Sequence, residues 1–164
     1  MTFVPKTGKL AKSHELIETI GVIDELNSFI GLLISKTDEK IVSENLTDIQ
    51  KKIFMLGAYL TSNNAQTLNK SDFKKLEEQI DSMSAGLALL NNFILPGGSE
   101  TAAIAHLCRS LSRKAERRLV KFNQTNSISP DILAWINRLS DYFFTLARFL
   151  NQKSSAKETT WNEQ

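Results

Sequence analysis

Three prolines and seven glycines are spread through 164 residues, and long stretches contain neither. Proline removes an amide donor and glycine carries an entropic cost inside a helix, so a chain this poor in both favours long helices over many short strands. Hydrophobic spacing agrees. Leu16, Ile17, Ile20, Ile23, Phe29, Ile30 and Leu33 recur with helical period, from an N-cap at Ser13 with Glu15 in the first turn, to about Ile34. Leu46, Ile49, Ile53, Leu56 and Leu60 share one face of a second helix from about Glu44 to Leu60, and SNNAQT (62–67) reads as a turn-like break. A third helix starts near Ser71 and carries Phe73, Leu76, Ile80, Met83 and Leu87, with Asn91 and Asn92 closing it. FILPGGS (93–99) is the segment richest in helix breakers.

A fourth helix begins at about Glu100 with Ile104, Leu107, Leu111, Ala115 and Phe122 at core spacing. After the loop NQTNSIS (123–129), Ser129-Pro130-Asp131 supplies a cap, a proline at the first helical position and an acid at the positive helix end. The fifth helix reaches about Asn151. The expected fold is therefore all-α, a five-helix, mostly up-and-down bundle in a single domain over 1–164. Residues 1–12 form an N-terminal arm, 13–151 the bundle, and 152–164 a tail that is polar apart from Trp161.

Composition narrows the function classes. No apolar run approaches the ~18–20 residues that cross a bilayer, and MTFVPKTGKLAKSHE has no hydrophobic stretch of the kind that directs secretion. Cys108 is alone, which excludes an internal disulfide and a cysteine-rich metal site. A cytoplasmic location is the default for such a chain. The net charge is +2, yet the segment from Arg109 to Lys121 carries +5. Arg109, Arg113, Lys114, Arg117, Arg118 and Lys121 face Glu116 alone there. Such a local positive field invites an anion and is too small to argue for nucleic acid.

Four constellations could carry chemistry. Gly21, Asp24, Asn27 or Ser28, and Gly31 make a small, polar stripe on the first helix, either a close helix contact with a surface acid or an acid held for a cationic partner at a subunit seam. Arg109, Arg113 and Arg117 share one face of the fourth helix, with Glu116 on the adjoining flank. A solvated basic face with an internal Arg113–Glu116 pair is one reading, and a phosphate or carboxylate site for the planar guanidinium forks is the other. Asn137, Asp141, Thr145 and Arg148 recur on the fifth helix, as a structural network or as a site. Gly97-Gly98 lets backbone approach closely just before a helix N-terminus. His106 lies one turn before Arg109 and, as a lone helical histidine, reads as a satisfied side chain.

Taken in order, GVIDELNSFIG (21–31), FILPGGS (93–99), RSLSRKAER (109–117) and INRLSDYFFTLAR (136–148) resemble the signature segments of the ATP:cob(I)alamin adenosyltransferases of the trimeric five-helix-bundle class. The likeness runs from about Lys12 to Arg148. It implies transfer of the 5′-deoxyadenosyl group of ATP, with Mg²⁺, to cob(I)alamin or a related corrinoid. It implies a homotrimer with sites between subunits, and a reductase partner for the corrinoid; nucleic acid and membrane have no part in it. On the ATP side it assigns Arg109, Arg113, Glu116 and Asn137, with Arg109, Arg113 and Glu116 in the catalytic role. Asp24 would pair with Arg109 across the seam, and Lys114 stands where another arginine is usual. Phe93 and Phe144 match aromatics on the corrinoid side, where an apolar wall blocks the lower face of the corrin. Mg²⁺ would arrive on ATP, with no direct protein ligand assigned.

The resemblance is incomplete at the N-terminus. Lys6, Thr7 and Gly8, with Lys12 beyond them, match the start of a phosphate loop resembling TKTGDxGxT, and its acidic, glycine and threonine portion has no counterpart. Leu16 stands where an arginine is expected. This shortening keeps a second reading in view, a non-catalytic corrinoid-binding or regulatory bundle that has lost the phosphate loop. Nucleotide binding separates the two.

Overall fold

The structure, a computed structural model, describes residues 1–62 and 67–161. The turn expected at 62–67 therefore lies largely outside the described residues. Five helices follow a short hairpin: α1 (Glu15–Lys36), α2 (Lys40–Thr61), α3 (Lys70–Ser84), α4 (Glu100–Phe122) and α5 (Pro130–Lys153). The N-terminal arm expected at 1–12 is ordered as this hairpin. Its strands β1 (Thr2–Val4) and β2 (Gly8–Leu10) pair antiparallel with Val4 opposite Gly8. Gly8 has φ +80°, which a glycine adopts without strain. Val4 is buried, and the Lys6 amide donates to the Thr61 carbonyl at 3.1 Å, so the hairpin is fixed to the end of α2.

Several helix ends differ from the periodicity. His14, not Ser13, caps α1: its Nδ1 accepts from the Leu16 amide at 3.2 Å. The helix runs two residues past Ile34, to Lys36. Helix α2 starts at Lys40 rather than near Glu44, because Val42 is already buried in its first turn. Helix α3 starts at Lys70, and a reciprocal Asn69–Asp72 capping box fixes that start. It stops at Ser84, so Leu87 and the Asn91-Asn92 pair fall in the α3–α4 connection. The starts at Glu100 and Pro130 agree with the sequence, and α5 extends to Lys153.

Helix neighbours run α2–α1–α4–α5–α3. Polar side chains link the two outer members: Lys52 to Asp72 at 3.2 Å, Lys75 to Asp48 at 3.1 Å and Gln79 to Asn45 at 2.9 Å. The numbering of these pairs falls on α3 as it rises on α2, so the two are antiparallel. Four ion pairs fix α1 against α4 in the same sense: Glu15–Lys121 (3.3 Å), Glu18–Arg118 (3.6 Å), Glu25–Lys114 (2.8 Å) and Lys36–Glu100 (2.8 Å). Each is partly exposed and modest in strength; together they set register. The bundle alternates up and down.

Helix α4 packs on both α1 and α5, and its buried stripe is built from small residues. Ala102, Ala105, Cys108, Ser112 and Ala115 are fully buried, with Leu119 following. Small side chains let two neighbouring helices approach closely. Leu107, expected in the core, is 49% exposed, since the buried face runs through Cys108 beside it. Opposite, α5 contributes Trp135, Leu139, Tyr142, Phe143 and Leu146 to the core.

The 93–99 segment is clasped to α5. Asn151, buried, donates Nδ2 to the Gly97 carbonyl at 3.0 Å and accepts the Ser99 amide on Oδ1 at 2.9 Å. Ser99 then caps α4 through the Ala102 amide. Gly98 sits at φ +106°, and a β-carbon there would fall on the Asn151 carboxamide. Gly98→Ala should therefore destabilise by about 2–4 kcal/mol, combining left-handed strain with a broken clasp. Thermal unfolding would check this; a change below about 0.5 kcal/mol would contradict the clasp.

Candidate functional site

The α3–α4 connection, the N-terminal half of α4, the C-terminal half of α5 and the tail enclose an open cleft of about 860 Å³. Phe93, Ile94, His106, Arg109, Phe144 and Trp161 are among its lining residues. Phe93 is 85% exposed at the cleft, although it heads a segment clasped at its other end. A large aromatic displayed this openly on ordered backbone lacks a folding role and is available to a flat apolar ligand.

The tail forms part of this wall. The Leu95 amide donates to the Thr159 carbonyl at 2.8 Å, and the Trp161 amide donates to the Phe93 carbonyl at 2.7 Å. Arg148 on α5 holds the tail through Glu158 (3.2 Å) and holds the connection through the Ala88 carbonyl (2.8 Å). Sequence reasoning missed Trp161 as a lining residue. Its one signal was an aromatic alone in a polar tail.

The α4 cations divide into two sets. Lys114, Arg118 and Lys121 point to α1 and are paired with Glu25, Glu18 and Glu15. Arg109, Arg113 and Arg117 have no acidic partner among the described residues. Glu116 does not pair with Arg113, as one reading of the spacing had it. Its Oε1 accepts from Asn137 Nδ2 on α5 at 2.7 Å. Arg109 opens on the cleft, with Nε buried and unpartnered among the described residues. Arg113 and Arg117 continue the row one and two turns on, exposed to solvent.

The other expected site residues lie elsewhere. Lys6 and Thr7 line a cleft of about 220 Å³ with His14, Tyr59 and Phe122, at the end of the bundle where α4 finishes. Gly8 and Lys12 adjoin that turn. From Arg109 to Phe122 the helix rises roughly 20 Å, so one chain does not bring the hairpin to the aromatic cleft. Asp24 is exposed beside Asn27 and Phe54 in a cleft of about 330 Å³ between α1 and α2. It makes no ion pair with Arg109 within the chain. Of the small stripe around it, Gly31 lies against Gln50 of α2, which also donates to the Asn27 carbonyl at 3.0 Å. At Gly21 an added β-carbon would point into open space. On α5, Asp141 pairs with Arg138 at 2.9 Å, a structural contact.

His106 departs from the expectation of a satisfied helical histidine. It is 4% exposed, and neither ring nitrogen has a hydrogen-bond partner among the described residues. Its ring meets Phe144 edge-on, centroids 6.3 Å apart. Each buried, unmet polar atom costs about 1–3 kcal/mol. Burial, with the Arg109 charge adding to it, holds the His106 pKa below its ordinary value.

The family model described as cobalamin adenosyltransferase matches residues 1–150. A corrinoid adenosyltransferase of Bacillus subtilis is 39% identical over 155 residues, covering 90% of this chain and 80% of that one. A cobalamin adenosyltransferase of Cupriavidus metallidurans is 37% identical over 157 residues, covering 95% and 85%. Among solved structures, a variant PduO-type ATP:corrinoid adenosyltransferase from Lactobacillus reuteri, complexed with cobalamin and ATP, superposes with a TM-score of 0.91 at 29% identity, covering 98% of this chain and 95% of that one.

The His106 shift has a measurable sign. The unfolded chain binds a proton on this side chain at higher pH than the folded chain does. The stability associated with the neutral imidazole is therefore complete above the ordinary value of 6.5 and is lost as pH falls through it towards the lower folded pKa. Denaturant unfolding of wild type and His106→Leu between about pH 7.5 and about pH 5 should show a shallower decline in the variant. Parallel declines would contradict the burial of a neutral His106.

Proposed function

The chain belongs to the cobalamin adenosyltransferase family, and from that membership we propose that it transfers the 5′-deoxyadenosyl group of ATP to the cobalt of a reduced corrinoid, releasing triphosphate. The observation that carries this reading is the division of the α4 cations. Three serve α1, and the three arginines left without acids form a row that begins at the aromatic cleft. An apolar cleft suits the face of a corrin macrocycle, and a row of guanidinium forks suits a polyphosphate.

The reaction is a displacement. The electron pair of cobalt(I) forms a bond to C5′ of the ribose, the C5′–O bond breaks, and triphosphate departs with that bonding pair. A protein nucleophile is unnecessary, and Cys108 is unsuited to be one, since burial pushes its thiol up to about 12. Arg109 and Arg113 would neutralise charge growing on the leaving group, and Glu116 with Asn137 would fix the nucleotide's position between α4 and α5. Phe93 and Phe144 would exclude water and a lower axial ligand from cobalt, which eases reduction of cob(II)alamin to cob(I)alamin. Among the described residues no group of three or more His, Cys, Asp or Glu could hold a metal. Mg²⁺ would be carried by the phosphates of ATP.

Asp24 and Arg109 lie in different clefts of one chain. That separation suits a homotrimer in which Asp24 of one subunit meets Arg109 of the next. The exposed Phe54 beside Asp24 would be covered at the same seam. The Lys6-Thr7-Gly8 turn and Lys12 would then reach a neighbour's phosphates rather than their own subunit's cleft. A reductase supplies the electron for cobalt, and the setting is cytoplasmic. No described helix is long and apolar enough to cross a membrane.

Arg113 has no hydrogen-bond or ion-pair partner among the described residues, so Arg113→Ala should leave the melting temperature unchanged and lower turnover by at least about 100-fold. Formation of adenosylcobalamin from cob(I)alamin and MgATP, followed by absorbance, checks this. Wild-type rates in the variant would refute the phosphate assignment. Phe93→Ala should slow reduction of bound cob(II)alamin far more than it weakens ATP binding; equal losses would contradict the division of roles. Corrinoid binding by a folded wild type that binds no nucleotide would instead support the non-catalytic reading.

A further inference from the structure

We propose that His106 is a corrinoid-binding residue whose imidazole hydrogen-bonds a primary carboxamide on the periphery of the macrocycle. The proposal rests on the functional reading above and names a contact within that site. His106 lines the aromatic cleft, yet it is 4% exposed and both its ring nitrogens are unpartnered among the described residues. A side chain so placed is held for something that enters the cleft. The edge-on contact with Phe144 limits the orientation of the ring, and His106 precedes Arg109 by one helical turn.

The chemistry of the ring selects the partner. Burial and the adjacent Arg109 both favour the uncharged imidazole. An uncharged imidazole offers one N–H donor and one nitrogen acceptor. Triphosphate oxygens accept only, and the unpaired arginines answer them. A primary carboxamide both donates and accepts, and corrinoids carry several around the ring edge. In the cleft Phe93, Ile94, Phe144 and Trp161 suit the face of the ring, and His106 joins Asn91 and Asn92 as neutral polar groups that can meet its edge. His106 would thus fix which edge of the corrinoid lies beside Arg109. The amidine edge of adenine has the same donor–acceptor pattern, so the test separates the two substrates.

Wild type, His106→Leu and His106→Gln, as assembled full-length protein, are compared with MgATP and two reduced corrinoids. Cobinamide keeps its peripheral carboxamides, and heptamethyl cobyrinate carries esters in their place. His106→Leu should raise KM for cobinamide by about tenfold, the scale of one lost polar contact. It should leave kcat, KM for ATP and KM for heptamethyl cobyrinate within about twofold of wild type, with His106→Gln restoring most of the cobinamide affinity. An unchanged cobinamide KM overturns the proposal. Equal rises with both corrinoids overturn it too, since they indicate packing alone. A rise confined to ATP places the contact on adenine and also overturns it. Should His106→Leu fail to fold, the glutamine variant decides, because a tenfold loss of cobinamide affinity in that folded protein contradicts a carboxamide contact. A wild type that adenosylates neither corrinoid refutes the functional reading itself, a result distinguishable from all of these.

Discussion

Close packing of α4 between α1 and α5 is the constraint from which the rest of this molecule follows. A helix with two tight neighbours must be narrow, and Ala102, Ala105, Cys108, Ser112 and Ala115 make it so. A helix buried on one face can still carry a dense positive charge only if its cations are sorted by direction. The ladder Glu15–Lys121, Glu18–Arg118 and Glu25–Lys114 neutralises the side towards α1. The arginines at 109, 113 and 117 remain on a side that α1 does not reach. One helix thereby supplies core, register and a row of arginines with no acidic partner among the described residues.

The same packing fixes the aromatic cleft. Asn151 joins α5 to the loop ahead of α4, which is possible only while those two helices hold their spacing. From that clasp the chain returns along 93–95, where the tail pairs with it and brings Trp161 to the wall. The cleft is thus rigid at its base, through Gly98 and Asn151, and open at Phe93. A cleft anchored at its base, with apolar surface exposed at its mouth, is the arrangement expected of a site that works by positioning and by excluding water.

Much of this was legible in the sequence for a local reason. Breaker residues cluster at 93–99, Ser129-Pro130-Asp131 announces α5, and apolar positions repeat at helical spacing, so helix number and most boundaries follow from neighbours within a turn. What was not legible depends on distant partners. Leu107 looks like a core residue and Cys108 a lesser one, until the approach of two helices favours the smaller side chain. Lys114 looks like part of an anion site, until Glu25, 89 positions away, takes it. The hairpin at 2–10 was missed because three-residue strands carry no readable period. His106 looks ordinary because hydrogen-bond partners of a helical side chain are a tertiary fact.

The proposed function requires the α4 arginines to bind the triphosphate of ATP, although the Lys6-Thr7-Gly8 turn matches only the start of the phosphate loop expected of the family. Isothermal titration of the assembled protein with MgATP tests it most directly. Micromolar binding that weakens as salt is raised is the predicted result, because charge neutralisation by Arg109 and Arg113 carries the contact. A folded, assembled protein that takes up corrinoid and shows no heat of MgATP binding would contradict it.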